Sequence, residues 1–167
     1  AMPKTIGLLI QNNICADDYL SISQALSEAG HRLCHLSACP QTTSYRLHNS
    51  HIKIDAHLHE IKLQALDGLL LFNDNPHPKV HGFVQCIANA YKPIFSLSYA
   101  TPILVAAQLA HGRRLTADPQ YQGMLQAAHA VYLNQAVVND HNLYISQQSP
   151  TALAEFLHTM LKVLHTA

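Results

Sequence analysis

Ser98 is the residue whose setting most invites chemistry. It lies in Ser96-Leu-Ser98-Tyr-Ala100, with small residues two positions before and two after. That pattern suits a tight strand-to-helix turn that pushes a nucleophile outward. A helical pattern opens at Thr101, and its free N–H groups would favour an anion or a developing oxyanion beside Ser98. The same residues fit a plainer arrangement in which Ser98 starts that helix as a cap. The pattern alone leaves elbow and cap open.

Thiols and imidazoles are the other reactive groups. Cys15, Cys34, Cys39 and Cys86 form no CxxC pair, so they read as free, mostly buried thiols of a reducing compartment. Cys86 falls inside a helical pattern and reads as core. Among 13 histidines, His57-Leu-His59-Glu60 has the best metal-ligand spacing, because two histidines two apart on a strand share a face. No second cluster supplies the remaining ligands, so surface or polar-core histidine is the simpler reading. No metal and no cofactor is implied.

These residues need elements to position them. Residues 4–10 form a near-continuous apolar run, the kind buried on both faces of a parallel sheet. Asn12-Asn13 marks a turn, Asp17-Asp18 stands at the start of a helical pattern, and Gly30 stops that helix. Residues 31–37 read as a second strand. Residues 41–56 are polar and irregular, with strand-like stretches at 45–47 and 52–54. Residues 68–72 form another buried strand, followed by the turn-rich Asn73-Asp74-Asn75-Pro76 and a helix over 80–91. The strand at 93–97 runs straight into a helix over 101–110 that Gly112 ends. A short strand near 114–116 and a helix over 120–129 follow. Residues 136–139 and 142–146 read as a hairpin with Asp140-His141 at its tip. Pro150 opens a terminal helix to about 163, with Leu153, Phe156, Leu157, Met160, Leu161 and Leu164 as its apolar stripe. Strands alternating with helices predict a doubly wound α/β fold with a mainly parallel sheet covered on both faces. In such sheets ligands sit beyond the carboxyl ends of the strands, where strand order reverses. Residues 11–18, 72–76 and 98–101 end strands there.

Composition narrows the function classes. The chain has 167 residues, 49% of them hydrophobic and 12% charged, with Lys+Arg and Asp+Glu equal at 10 each. That length suits one domain over residues 2–167, which buries roughly 70% of its unfolded surface without disulfides. No basic stripe appears, so nucleic acid is not an expected partner. The longest apolar runs are too short to span a bilayer. Ala1 ahead of Met2 reads as the remnant of a cleaved tag. No signal peptide precedes the first strand, and a cytoplasmic location is expected.

One further pattern concerns the whole chain. Lys92-Pro-Ile-Phe-Ser-Leu-Ser98-Tyr-Ala-Thr-Pro-Ile-Leu104, then Gly112-Arg113, then Thr116-Ala-Asp-Pro119, resembles the central block of the ThiJ/PfpI family of the class I glutamine amidotransferase-like superfamily. The likeness continues through Val137-Val-Asn-Asp140 and residues 143–147 and 150–156, and it starts at residues 4–10. It implies a flavodoxin-like sandwich, commonly a homodimer, in a family that includes glyoxalase- or deglycase-like enzymes, amidases, proteases, isonitrile hydratases, chaperones and regulatory domains. It places Ser98 at the family's cysteine nucleophile, Tyr99 at the histidine that follows it in hydrolytic members, and Ala100 next in line. Asp18 falls at the family's carboxylate, usually glutamate. Asn73-Asp74 replaces paired glycines that supply oxyanion-binding amides, and Asp118 replaces a histidine used by some members. At the nucleophile position Ser98 should adopt φ > 0 with its side chain towards Asp18. Cys15 lies three residues before Asp18, in the loop expected to face Ser98, as a partly buried free thiol or a displaced nucleophile.

Each replacement weakens the family chemistry. A serine hydroxyl needs a positioned base, and a carboxylate with a pKa near 4 is a poor one. Tyr99 is no base at neutral pH. The Asp74 carboxylate beside an oxyanion would repel the charge that catalysis must stabilise. The expected function is therefore a catalytically degenerate homodimer that binds a small molecule or regulates. The alternative is an active amidase-, hydrolase- or glyoxalase-like enzyme using Ser98.

Overall fold

A computed structural model describes residues 2–166; Ala1, the expected tag remnant, lies outside them. The chain runs β1 (Thr5–Leu9), α1 (Ala16–Glu28), β2 (Arg32–Ser37), β3 (Ser44–Leu47), β4 (Ser50–Lys53), β5 (Ala56–His57), β6 (Gly68–Asn73), α2 (Pro78–Asn89), β7 (Ile94–Tyr99) and α3 (Thr101–Ala106). It continues with β8 (Arg114–Leu115), α4 (Gln122–Ala127), β9 (Val131–Tyr132), β10 (Val137–Asp140), β11 (Tyr144–Gln147) and α5 (Leu153–Thr166).

Seven strands form the central sheet in the order β10-β11-β7-β6-β1-β2-β5. All neighbours are parallel except β10 and β11. The fold is the doubly wound α/β sandwich that the alternating pattern predicts, flavodoxin-like as the family resemblance implies. Alternate residues of each buried strand feed opposite faces. Ile6, Leu8, Leu70, Phe72, Phe95 and Leu97 pack under α1 and α5. Leu9, Leu69, Leu71 and Ile94 pack under α2, α3 and α4. Gly7 permits a close approach: a Cβ there would lie 2.8 Å from the Leu36 side chain.

The small elements depart most from expectation. The α3 helix stops at Ala106, because Gln108 adopts φ 59° and turns the chain before Gly112. Residues 119–121 form a 3-10 turn ahead of α4, which stops at Ala127, short of the expected 129, before the left-handed His129 with φ 62°. The hairpin tip is His141-Asn142, both left-handed, rather than Asp140-His141. The two lie at the centre of a turn closed by the Leu143 N–H on the Asp140 carbonyl at 3.0 Å, in a three-residue loop between the paired Asp140 and Tyr144, and Asp140 is the last residue of β10, 3% exposed. The stretches at 45–47 and 52–54 do form strands, paired as the hairpin β3–β4. The two-residue strands β5 and β9 had no alternation long enough to reveal them.

Candidate functional site

Strand order reverses between β1 and β6, whose carboxyl ends define the crevice where such folds hold ligands. Here that crevice is bridged by side-chain amides. Gln11 Nε2 donates to the Asp74 carbonyl at 2.8 Å and to Asn13 Oδ1 at 2.9 Å. Asn73 donates to the Asn13 carbonyl, and Asn75 Nδ2 donates to Gln11 Oε1 at 3.3 Å. The loop after β1 is thus tied to the loop after β6. Asn73 serves as a tether, and the Asp74 side chain lies exposed at the rim.

Ser98 lies one strand further on, near the end of β7, and the expected left-handed elbow does not form there. Among the described residues six other than glycine have positive φ, and Ser98 is not one of them. The expected strained conformation is absent. Tyr99 pairs with Asn73 in the β6–β7 ladder, beyond a register shift that follows Leu71, so the strand carries on past Ser98. The Ser98 N–H donates to Gln147 Oε1 at 3.2 Å. Its backbone is therefore satisfied without the cost, about 1–2 kcal/mol, of a left-handed residue with a side chain. The chain bends at Ser98 and Tyr99 themselves, where the Ala100 N–H donates across them to the Leu97 carbonyl at 2.9 Å. Ala100, not Ser98, is the cap residue of α3.

Ser98 is 1% exposed, and its hydroxyl has no hydrogen-bond partner among the described residues. Asp18 does not meet it. That carboxyl is half-buried at the start of α1, and burial raises its pKa; a hydrogen bond from the Cys15 side chain opposes the rise, and Asp17 adds to it. Cys15 is exposed as the cap residue of α1, with no side-chain capping bond. Asp118 Oδ1 accepts from the Gln120 N–H at 3.0 Å, capping the 3-10 turn. Tyr99 is 39% exposed. Tyr121 joins the same rim: burial raises its phenol pKa, and Asp74, Asp118 and Tyr99 push it further up.

The structure adds three polar participants that the sequence reading missed: Gln147, Thr116 and Tyr121. Thr116 Oγ1 and Gln147 Nε2 are buried without partners, like Ser98 Oγ, while the Thr116 N–H donates to Ser146 Oγ at 3.0 Å. A readable signal was the Ser146-Gln147 pair ending an otherwise apolar strand beside β7.

The thiols and histidines also differ from expectation. Cys15, Cys39 and Cys86 are exposed and only Cys34 is half-buried. Cys86 is helical as expected but lies off the buried Val80, Val84 and Ile87 stripe. Burial pushes the Cys34 thiol up to about 11, with Asp55 adding to the effect. His57 has both ring nitrogens engaged, Nε2 on the Thr42 carbonyl at 2.7 Å and Nδ1 on Glu60 at 3.2 Å. Among the described residues no group of three or more His, Cys, Asp or Glu could hold a metal ion. Nor is any described helix long and apolar enough to cross a membrane.

The sequence pattern of the DJ-1/PfpI family matches residues 4–163. The chain belongs to the DJ-1/PfpI family. It is 24% identical over 170 residues to protein/nucleic acid deglycase 2 of Escherichia coli (strain K12), covering 98% of this chain and 99% of that protein. Among solved DJ-1/PfpI folds, a ThiJ/PfpI domain protein from Brachyspira murdochii superposes with a TM-score of 0.88 at 13% identity, covering 100% of this chain and 99% of that one. A DJ-1 superfamily protein from Salmonella typhimurium gives 0.81 at 23% identity, covering 98% and 91%. The DJ-1/PfpI scaffold thus surrounds Ser98, Tyr99 and Asn73-Asp74.

Proposed function

We propose that this DJ-1/PfpI chain works without nucleophilic catalysis at Ser98, as a single-domain cytoplasmic homodimer that binds a small molecule or regulates a partner. The observation that carries the reading is the Ser98 hydroxyl itself: on a residue 1% exposed, without a hydrogen-bond partner among the described residues, and with no left-handed backbone to turn it outward. A serine nucleophile needs a base within hydrogen-bond reach and a path to the substrate, and this one has neither. Low charge content and exposed Leu20, Tyr91 and Val131 support assembly through the surface. Four free cysteines suit a reducing compartment.

A second reading, an active deglycase- or amidase-like enzyme, is favoured by the name of the Escherichia coli relative. Two measurements separate the readings. We expect no covalent labelling of the protein by a fluorophosphonate probe and no turnover of methylglyoxal. In Ser98→Cys, the new thiol should behave as Cys34 does and resist alkylation at neutral pH. Stoichiometric labelling that Ser98→Ala abolishes, or a Ser98→Cys thiol that ionises below the ordinary cysteine range, would give the enzyme reading the lead.

A further inference from the structure

A hollow lies at the opposite end of the sheet from Ser98. It has a volume of about 500 Å³ and opens beside the amino ends of β1 and β2, within the range of small-molecule sites. Its apolar lining comes from Met2, Pro3, Ala29 and Leu161, and its polar edge from His31, His158, Lys162 and His165. A smaller hollow adjoins it, sharing His158, Lys162 and Thr166 and adding Asn139, Asn142 and Thr159. Neither contains an aspartate or glutamate, in a chain whose acidic and basic residues are equal in number.

The elements explain this segregation. His158 and Lys162 are four apart on α5 and therefore share one helix face. His31 stands just before β2, where its Nδ1 accepts the Lys4 N–H at 3.1 Å. A neutral imidazole accepting at Nδ1 carries its proton on Nε2, which makes the ring a donor. Lys162 supplies the permanent charge. It lies a full turn before the end of α5, ahead of the terminal carbonyls whose partial negative charge would repel an anion. An anionic head at His158 and Lys162 would leave an apolar tail to cover Leu161 and the exposed Met2.

We propose that this hollow binds a small amphiphilic anion, a carboxylate with a short apolar tail. The site is independent of the reading at Ser98. A second copy of the chain is the poorer occupant, because a two-fold contact would set the same Lys162 and histidine rim against itself.

The test uses the full chain, octanoate as probe, and inorganic phosphate and octyltrimethylammonium as comparators. Calorimetry would report affinity and amide shifts would report location. Expected is saturable octanoate binding with shifts centred on His31, His158, Leu161 and Lys162, with both comparators at least about tenfold weaker. Lys162→Glu should weaken octanoate at least about tenfold while leaving thermal unfolding unchanged, since Lys162 is exposed. Ser98→Ala should leave octanoate binding as it is. Absence of saturable binding, equal binding of the cation or of phosphate alone, shifts centred elsewhere, or indifference to Lys162→Glu would each overturn the proposal. So would a change of oligomeric mass in Lys162→Glu, which would mark the face as an interface.

Discussion

Two buried polar clusters at opposite ends of the sheet are built on opposite principles. At the amino end, Asp140 is 3% exposed, yet its oxygens are matched by Arg113 at 3.1 Å and Arg114 at 3.0 Å. Arg113 also stacks its guanidinium over the Tyr144 ring, 4.7 Å from the centroid. At the carboxyl end, Ser98 Oγ, Thr116 Oγ1 and Gln147 Nε2 are equally buried and have nothing to bind. A buried carboxylate without partners would not survive, so its partners come from the adjoining loop and β8, which follow α3. Hydroxyls and an amide are cheaper to leave unpaired, at about 1–3 kcal/mol each. The difference separates a closure that holds the fold together from a pocket of polar atoms that the fold leaves unmatched. On the function proposed above, Ser98 lacks the surroundings that would activate a nucleophile.

The comparison breaks first if Asp140 proves dispensable. Asp140→Ala should destabilise the protein by about 2 kcal/mol, because it removes a buried carboxylate and its charge-assisted bonds from two partly exposed arginines at the join of β10 and β8. Urea unfolding would show this as a lower midpoint at constant slope. A loss under about 1 kcal/mol would mean that the pair merely lies on the surface.

The acid limb of the stability profile sharpens the same point. Burial alone would raise the Asp140 pKa, but the hydrogen bonds from Arg114 and Arg113 outweigh it and hold the carboxyl below its ordinary 3.8. Because the folded value is the lower one, the contribution is complete above the unfolded value and disappears as pH falls through the folded one. Stability measured from pH 6 down to about pH 3 should therefore fall more steeply in the wild-type chain than in Asp140→Asn. Parallel profiles would show that the arginines do not hold this charge.

How far the sequence could be read follows from the same physics. The central strands were legible because apolar runs buried on both faces leave few alternatives, and β1, β2, β6 and β7 fall where the pattern puts them. Gly30, with φ 86°, ends α1 where expected. The site's location was legible too, since topology sends ligands to the carboxyl ends. Its conformation was not. Whether Ser98 takes a left-handed elbow or keeps an ordinary backbone depends on Tyr99 joining Asn73 across the sheet and on a Gln147 side chain 49 residues away, and no local pattern contains either. The left-handed Gln108 and His129 were missed for a related reason. Both stand where glycine is the usual signal, and tertiary packing imposes a backbone their own type does not announce.

The smallest expected effect is the most discriminating for the carboxyl end. Ser98→Ala and Thr116→Val each delete a buried hydroxyl that has no partner. Each deletion removes an unmet desolvation cost of about 1–3 kcal/mol. Against that stands lost packing: Ala leaves a gap of one oxygen atom, while Val fills the threonine volume with a methyl group in its place. The net change should be a gain of up to about 1 kcal/mol for Thr116→Val and close to zero for Ser98→Ala. The Thr116 N–H to Ser146 Oγ bond involves the backbone and survives the substitution. Urea midpoints of the single and double variants would also show whether the two sites act independently. If Ser98→Ala instead costs more than about 1 kcal/mol, its hydroxyl has a partner in solution, an ordered water or a small ligand shared with Gln147. The contrast with Asp140 would then vanish, and Ser98 would belong to an occupied polar site.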